Sequence, residues 1–153
     1  MNSYTQLLYY IKGLAEFDPF VNEVAQGVLE DSQLNKANIY PLLHIDILDS
    51  TFLSDSVIRY SVKLTCLNER DTNKEIITDK FWKQDNEVDN FNETQAVLNR
   101  LWLIMLKDFE KENITASESP SLEKLYLEYG NEVDGWSLNF EVDMPNIEIS
   151  LCN

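Results

Sequence analysis

The whole chain has one histidine, His44, in the run YPLLHIDI. General acid–base catalysis, a Ser-His-Asp triad or a zinc site would have to rest on that single ring, and no cysteine lies near it in sequence. Its setting among alternating apolar residues reads instead as a partly exposed strand histidine. Cys66 falls on the apolar side of a strand-like run and Cys152 stands next to the last residue, which fits two free thiols better than a disulfide. With four glycines and no G-x-G-x-x-G or Walker-type loop, no segment is suited to cradle a phosphate, so nucleotides are not expected ligands. The string NEVD occurs at 86–89 and again at 131–134, but neither copy has calcium-loop spacing or a closing bidentate glutamate. A carboxylate pair assembled by folding needs no local motif, and no pair stands out. These residues point away from enzymatic chemistry, with no metal and no cofactor expected.

The charge is more informative. Twelve basic against 27 acidic side chains give −15, too negative for ordinary binding to a phosphate backbone. Between Asp108 and Glu148 eleven acids face two bases, Lys111 and Lys124, so the C-terminal part carries much of the excess. A hydrophobic content of 44% without any apolar run near the ~20 residues of a membrane span predicts a soluble globular domain. A chain of this length buries roughly 70% of the surface its unfolded form exposes, enough for one core. The N-terminal MNSYTQLLYYIKGLAEFDPF lacks a basic n-region and a small-residue cleavage site; it reads as a helix, in a protein expected to stay in the cytoplasm where it is made.

The elements that must position these residues follow from periodicity. Ser3-Tyr4-Thr5-Gln6 has a capping-box pattern, and Leu7, Leu8, Ile11 and Leu14 recur at helical spacing, predicting a helix from about Thr5 to Glu16. Asp18-Pro19 should end it. Val21 to Leu29 reads as an edge strand, and Asp31 to Asn38 as a polar linker. Leu43, Ile45 and Ile47 alternate with His44 and Asp46; Ile58, Tyr60, Val62, Leu64 and Cys66 alternate with Arg59, Ser61, Lys63 and Thr65. The link Asp49 to Ser56 is longer than a tight turn, and its Phe52-Leu53 pair either reaches for a partner or folds back onto the core. Residues 68–92 are polar yet hold Ile76, Ile77, Phe81, Trp82 and Val88, predicting a docking arm. Capped at Asn90 or Asn92, a helix carrying Val97, Leu98, Leu101, Trp102, Ile104, Met105, Leu106 and Phe109 should cross the sheet with a broad apolar face. Leu125, Leu127 and Tyr129 then alternate, Gly130 to Gly135 turns, and Trp136, Leu138, Phe140, Val142 and Met144 face inward against Ser137, Asn139, Glu141 and Asp143. Pro145 stops that strand, and Ile147, Ile149 and Leu151 in the tail 146–153 could extend a neighbour's sheet edge. The prediction is a single α+β domain over 1–153: an antiparallel sheet with a long hairpin, packed against an N-terminal helix and one central apolar helix.

The runs LLYYIKGLAEFDPFVNEVAQG, YPLLHIDI, ITDKFWKQDNEVDN, LNRLWLIMLKDFE and DGWSLNFEVDMPN resemble small structural proteins of crAss-like and related tailed bacteriophages, similar to tail terminator or head-to-tail connector proteins. The resemblance covers nearly the whole chain through structural phrases, with no catalytic signature. It implies a subunit of a homo-oligomeric ring, hexamer or dodecamer, in the virion between portal and tail, with a channel that DNA passes without specific binding. The implied contact surfaces are the hairpin tip (Phe52, Leu53) and the docking segment (Phe81, Trp82, Val88), with the tail (Ile147, Ile149, Leu151) as a further patch; Glu141 and Asp143 would face the lumen. A ring subunit must carry two complementary patches for head-to-tail contacts to close. The competing expectation is an acidic early phage protein that inhibits a host nucleic-acid-binding enzyme by DNA mimicry.

Overall fold

The computed structural model describes residues 2–27, 40–70, 86–128 and 133–146. Helix α1 spans Ser3–Phe17 and is followed by strands β1 (Glu23–Gln26), β2 (Leu42–Phe52) and β3 (Val57–Glu69). Helix α2 (Glu87–Lys111) comes next, then β4 (Thr115–Ala116), β5 (Ser121–Glu128) and β6 (Val133–Pro145). The architecture is α+β: the strands form one mixed sheet in the order β1-β2-β3-β6, and both β4 and β5 pair with the far side of β6. All pairings are antiparallel except β1 with β2, which is parallel.

Both helices lie on one face. From α1 come Leu7, Ile11 and Ala15; from α2 come Val97, Leu98, Leu101, Met105 and Phe109; and all pack on the alternate residues of β2, β3 and β6 that sequence periodicity assigned inward. Each such aliphatic or aromatic side chain contributes roughly 1.5–3 kcal/mol on full burial, so tertiary packing dominates over the helix caps. The caps differ from expectation. Asn2, not Ser3, caps α1, its side chain accepting the Tyr4 N–H, while Ser3 is buried with its hydroxyl 2.8 Å from that of Tyr60. Helix α2 begins at Glu87 after Asn86, so residues 87–92, assigned to the arm, are its first turns. Asn90 is a buried connector: its amide donates to the Glu69 carbonyl at 2.8 Å, and its side-chain oxygen accepts from Asn68 and Asn86. The far end of α2 closes as a Schellman motif, with Ile114 N–H on the Phe109 carbonyl and Asn113 at φ 55°.

The second sheet face is not uniformly solvated. Leu42, Leu67, Leu125 and Val133 form a small second core there. Beside it a cross-strand row runs His44, Thr65, Ser137, all buried, with the Thr65 and Ser137 hydroxyls 2.9 Å apart. His44 is therefore not the partly exposed residue expected from alternation: it is 3% exposed, because at this end both faces of the sheet are covered. Further along, the same face becomes charged, through Asp46, Lys63 and Asn139 to Arg59 and Asp143.

The β2–β3 hairpin also exceeds expectation. Residues 50–52, assigned to a loop, pair with Ile58–Tyr60, and a one-residue bulge falls between Ile47 and Ser50. Because side chains alternate along a strand, the bulge moves Phe52 to the helix side, opposite Ile58, instead of the side that Leu48 follows. Only residues 53–56 turn. Asn146 N–H donates to the Ser56 carbonyl and fastens the end of β6 to this turn.

Candidate interaction site

The two ends of the sheet carry different chemistry. At the end where β6 begins, Arg70 and Asp134 form a two-point ion pair at 2.6 and 2.7 Å, with side chains 4% and 0% exposed. Glu87 in the first turn of α2 lies 3.8 Å from the same guanidinium. Trp136 donates its indole N–H to the Phe91 carbonyl at 2.9 Å, and Lys124 lies over the rings of Phe91, Tyr126 and Trp136. Gly135 is required here: a Cβ would sit 1.8 Å from the Cys66 carbonyl oxygen. This end ties β3, β5, β6 and α2 together through paired polar groups.

The groups with perturbed protonation are structural in character. Burial pushes the Cys66 thiol up, so its thiolate, the reactive form, is disfavoured. Burial and the Asp108 carboxylate, to which its hydroxyl donates, push Tyr10 up. Burial favours protonation of Asp18, but Arg100, donating at 2.9 Å to each carboxylate oxygen, and the Phe20 N–H outweigh it and hold the carboxyl below its usual range. That pair fastens the end of α1 to α2. Burial lowers His44, against the opposing influence of Asp46 and the Gly27 backbone, and its ring Nε2 has no hydrogen-bond partner among the described residues. Among the described residues no three His, Cys, Asp or Glu side chains gather into a metal-binding cluster, and no helix is long and apolar enough to cross a membrane.

At the opposite end apolar side chains face water. Phe52 is 73% exposed and Leu53 46%, with Leu48 beside the bulge at 50%. The turn does not fold back on the core; it stands at the tip of the hairpin with the exposed acids Asp49 and Asp55. A second apolar surface lies on the outer side of α2, where Leu103, Ile104 and Leu106 are exposed. Ile104 and Leu106 were expected in the core. The helix buries the arc through Val97, Leu101 and Met105, and Leu103 lies diametrically opposite it, with Ile104 and Leu106 on its two flanks. The apolar arc of this sequence is wider than one sheet can cover. Angular position, not apolar count, was the signal that separates the two sets. Beside Leu106 and Asn99 an open groove runs between α2 and β5, walled by Trp102, Pro120 and Leu122.

Of the residues singled out from sequence, Phe52 and Leu53 are together at the tip, while Val88 is exposed on the first turn of α2, on the Leu106 side and at the far end of the helix. Phe81, Trp82, Ile147, Ile149 and Leu151 lie outside the described residues. Glu141 and Asp143 share the second sheet face, but they do not make a bare acidic strip: Arg59 donates to both Asp143 oxygens at 2.7 and 3.1 Å and lies 3.8 Å from Glu141. No family model matches this chain, and no curated protein matches it.

Proposed function

We propose that this chain is a structural subunit of a tailed-phage virion, a tail terminator or neck connector that joins copies of itself into a ring at the head–tail junction, next to portal or tail proteins. The sequence resemblance gives the class. The observation that carries the subunit role is the presence of separate, dissimilar apolar surfaces on the domain, among them the hairpin tip and the outer side of α2, besides the exposed Tyr9 and Phe17 of α1. Contiguous apolar surface of this kind marks contact sites, and a head-to-tail ring needs two different patches on each copy. The second sheet face, with Glu141 and Asp143, is the channel-facing surface in this reading. Its acids and the net charge of −15 oppose retention of DNA. DNA mimicry is the weaker alternative, since a mimic presents carboxylates in phosphate-like arrays and here Arg59 and Lys63 interrupt them.

Quantitative peptide mass spectrometry of purified virions tests the proposal. A copy number in ring-like proportion to the portal subunit is the expected result; absence from the particle would overturn it and favour a target in the infected cell.

A further inference from the structure

The subunit reading leaves open what each apolar surface meets. Two copies of a chain with 12 bases and 27 acids repel one another unless their contact sets the few available cations against acids. Most described cations are already engaged within the chain: Lys12 with Glu16, Arg59 with Asp143, Arg70 with Asp134, Arg100 with Asp18, and Lys124 over three aromatic rings. Lys107 and Lys111 form no ion pair with any described residue. Both are exposed, and with Arg100 and Ile104 they follow i, i+4, i+7, i+11 spacing, which places them in one stripe on the Ile104 flank of Leu103, while the exposed Glu110 shares the Leu103 crest. The hairpin tip has the opposite character: from Leu48 to Ser56 it carries Asp49 and Asp55 and no base around Phe52 and Leu53.

We propose that the hairpin tip of one copy seats on the outer side of α2 of the next copy. Phe52 and Leu53 cover Leu103, Ile104 and Leu106, and Asp49 and Asp55 face Lys107 and Lys111. The inference rests on the ring-subunit reading and makes it directional: the acidic tip is the knob, the basic-edged helix the receptor, and neither can pair with its own kind without burying like charges.

Both surfaces are exposed, so they can be altered in the full chain without touching the core. Two preparations, Leu53→Cys and Leu103→Cys, each also carrying Cys152→Ser, are mixed under mild oxidation; Cys66 is buried and its raised thiol pKa keeps it out of the reaction. The expected product is a cross-linked pair containing one of each. By light scattering, Leu103→Glu with Ile104→Glu is expected to weaken self-association more than about tenfold. Asp55→Lys should weaken it less, and adding Lys107→Glu to that variant should restore it. Self-association that persists in the double glutamate variant without the mixed cross-link would overturn the tip-on-helix contact and leave the ring reading standing. A wild-type chain still monomeric at about 1 mM, the concentration matching a contact of only ~4 kcal/mol, would overturn the contact between copies. The ring reading is then judged separately by copy number in the virion.

Discussion

The two ends of the sheet solve opposite problems. Where β6 begins, charged and amide side chains are inside: Arg70 on Asp134, Asn90 on Glu69, Trp136 on Phe91. Where β6 ends, apolar side chains are outside: Phe52, Leu53 and Leu48 on the hairpin. A buried ion pair gains little net stability over a well-packed apolar pair, but losing one partner is expensive, so the first end fixes register and geometry. The second end adds little to the isolated domain. Residues that hold the fold are thus separated from residues that the fold does not use.

The contrast is broken most severely at Gly135. Gly135→Ala places a methyl into the Cys66 carbonyl, and the closely spaced β3 and β6 backbones would have to part. A loss on the order of 4 kcal/mol or more is expected in denaturant unfolding. Asp134→Ala removes the two-point partner of the buried Arg70 guanidinium, leaving Glu87 3.8 Å away, and should cost about 3–5 kcal/mol, much of it recovered by the double replacement Arg70→Met, Asp134→Leu. A failure of that rescue would show that the charges themselves, and not their burial unpaired, hold this end.

His44 sharpens the comparison with a smaller, pH-dependent effect. Its folded pKa lies below the ordinary 6.5, so the unfolded chain binds the proton more readily. The cost is absent above that value and grows as pH falls from about 6.5 towards the folded pKa. Unfolding midpoints at pH 7.5 and 5.5 should differ in the wild type, and His44→Leu should reduce that difference. The smallest effect belongs to the other end: Phe52→Ser with Leu53→Ser should shift stability by no more than about 0.5 kcal/mol, although it removes the most exposed apolar pair on the hairpin. A large destabilisation in that variant would mean the tip belongs to the fold.

Much of the frame was legible in the sequence. Period-2 alternation in β3 and β6 assigned their inward residues, and helical spacing located both helices and the Asp18-Pro19 stop. What alternation could not convey was context: His44 and Thr65 look solvent-facing by parity, yet a second small core covers that face. The Asn90 side chain has the composition of a cap, and only the approach of the β3 end, with the Glu69 carbonyl, turns it into a buried bridge. The Phe52-Leu53 tip was recognisable because an apolar pair stood among turn residues. The exposed outer side of α2 was hidden because Ile104 and Leu106 sit in an apolar run whose other members do pack. Asp143 read as a free acid since its partner, Arg59, is distant in sequence and meets it only across the ladder.

The bulge between Ile47 and Ser50 sets the facing of the hairpin tip by number rather than by kind. Everything beyond it in β2 depends on one supernumerary residue. Deleting Leu48 or Asp49 would remove the bulge and restore simple alternation, leaving Phe52 opposite Ile58 on the helix side, whereas a strand that kept both residues and ran straight would carry that ring to the opposite surface of the sheet. The facing of the tip is thus a matter of odd or even, and the bulge is what absorbs the odd residue.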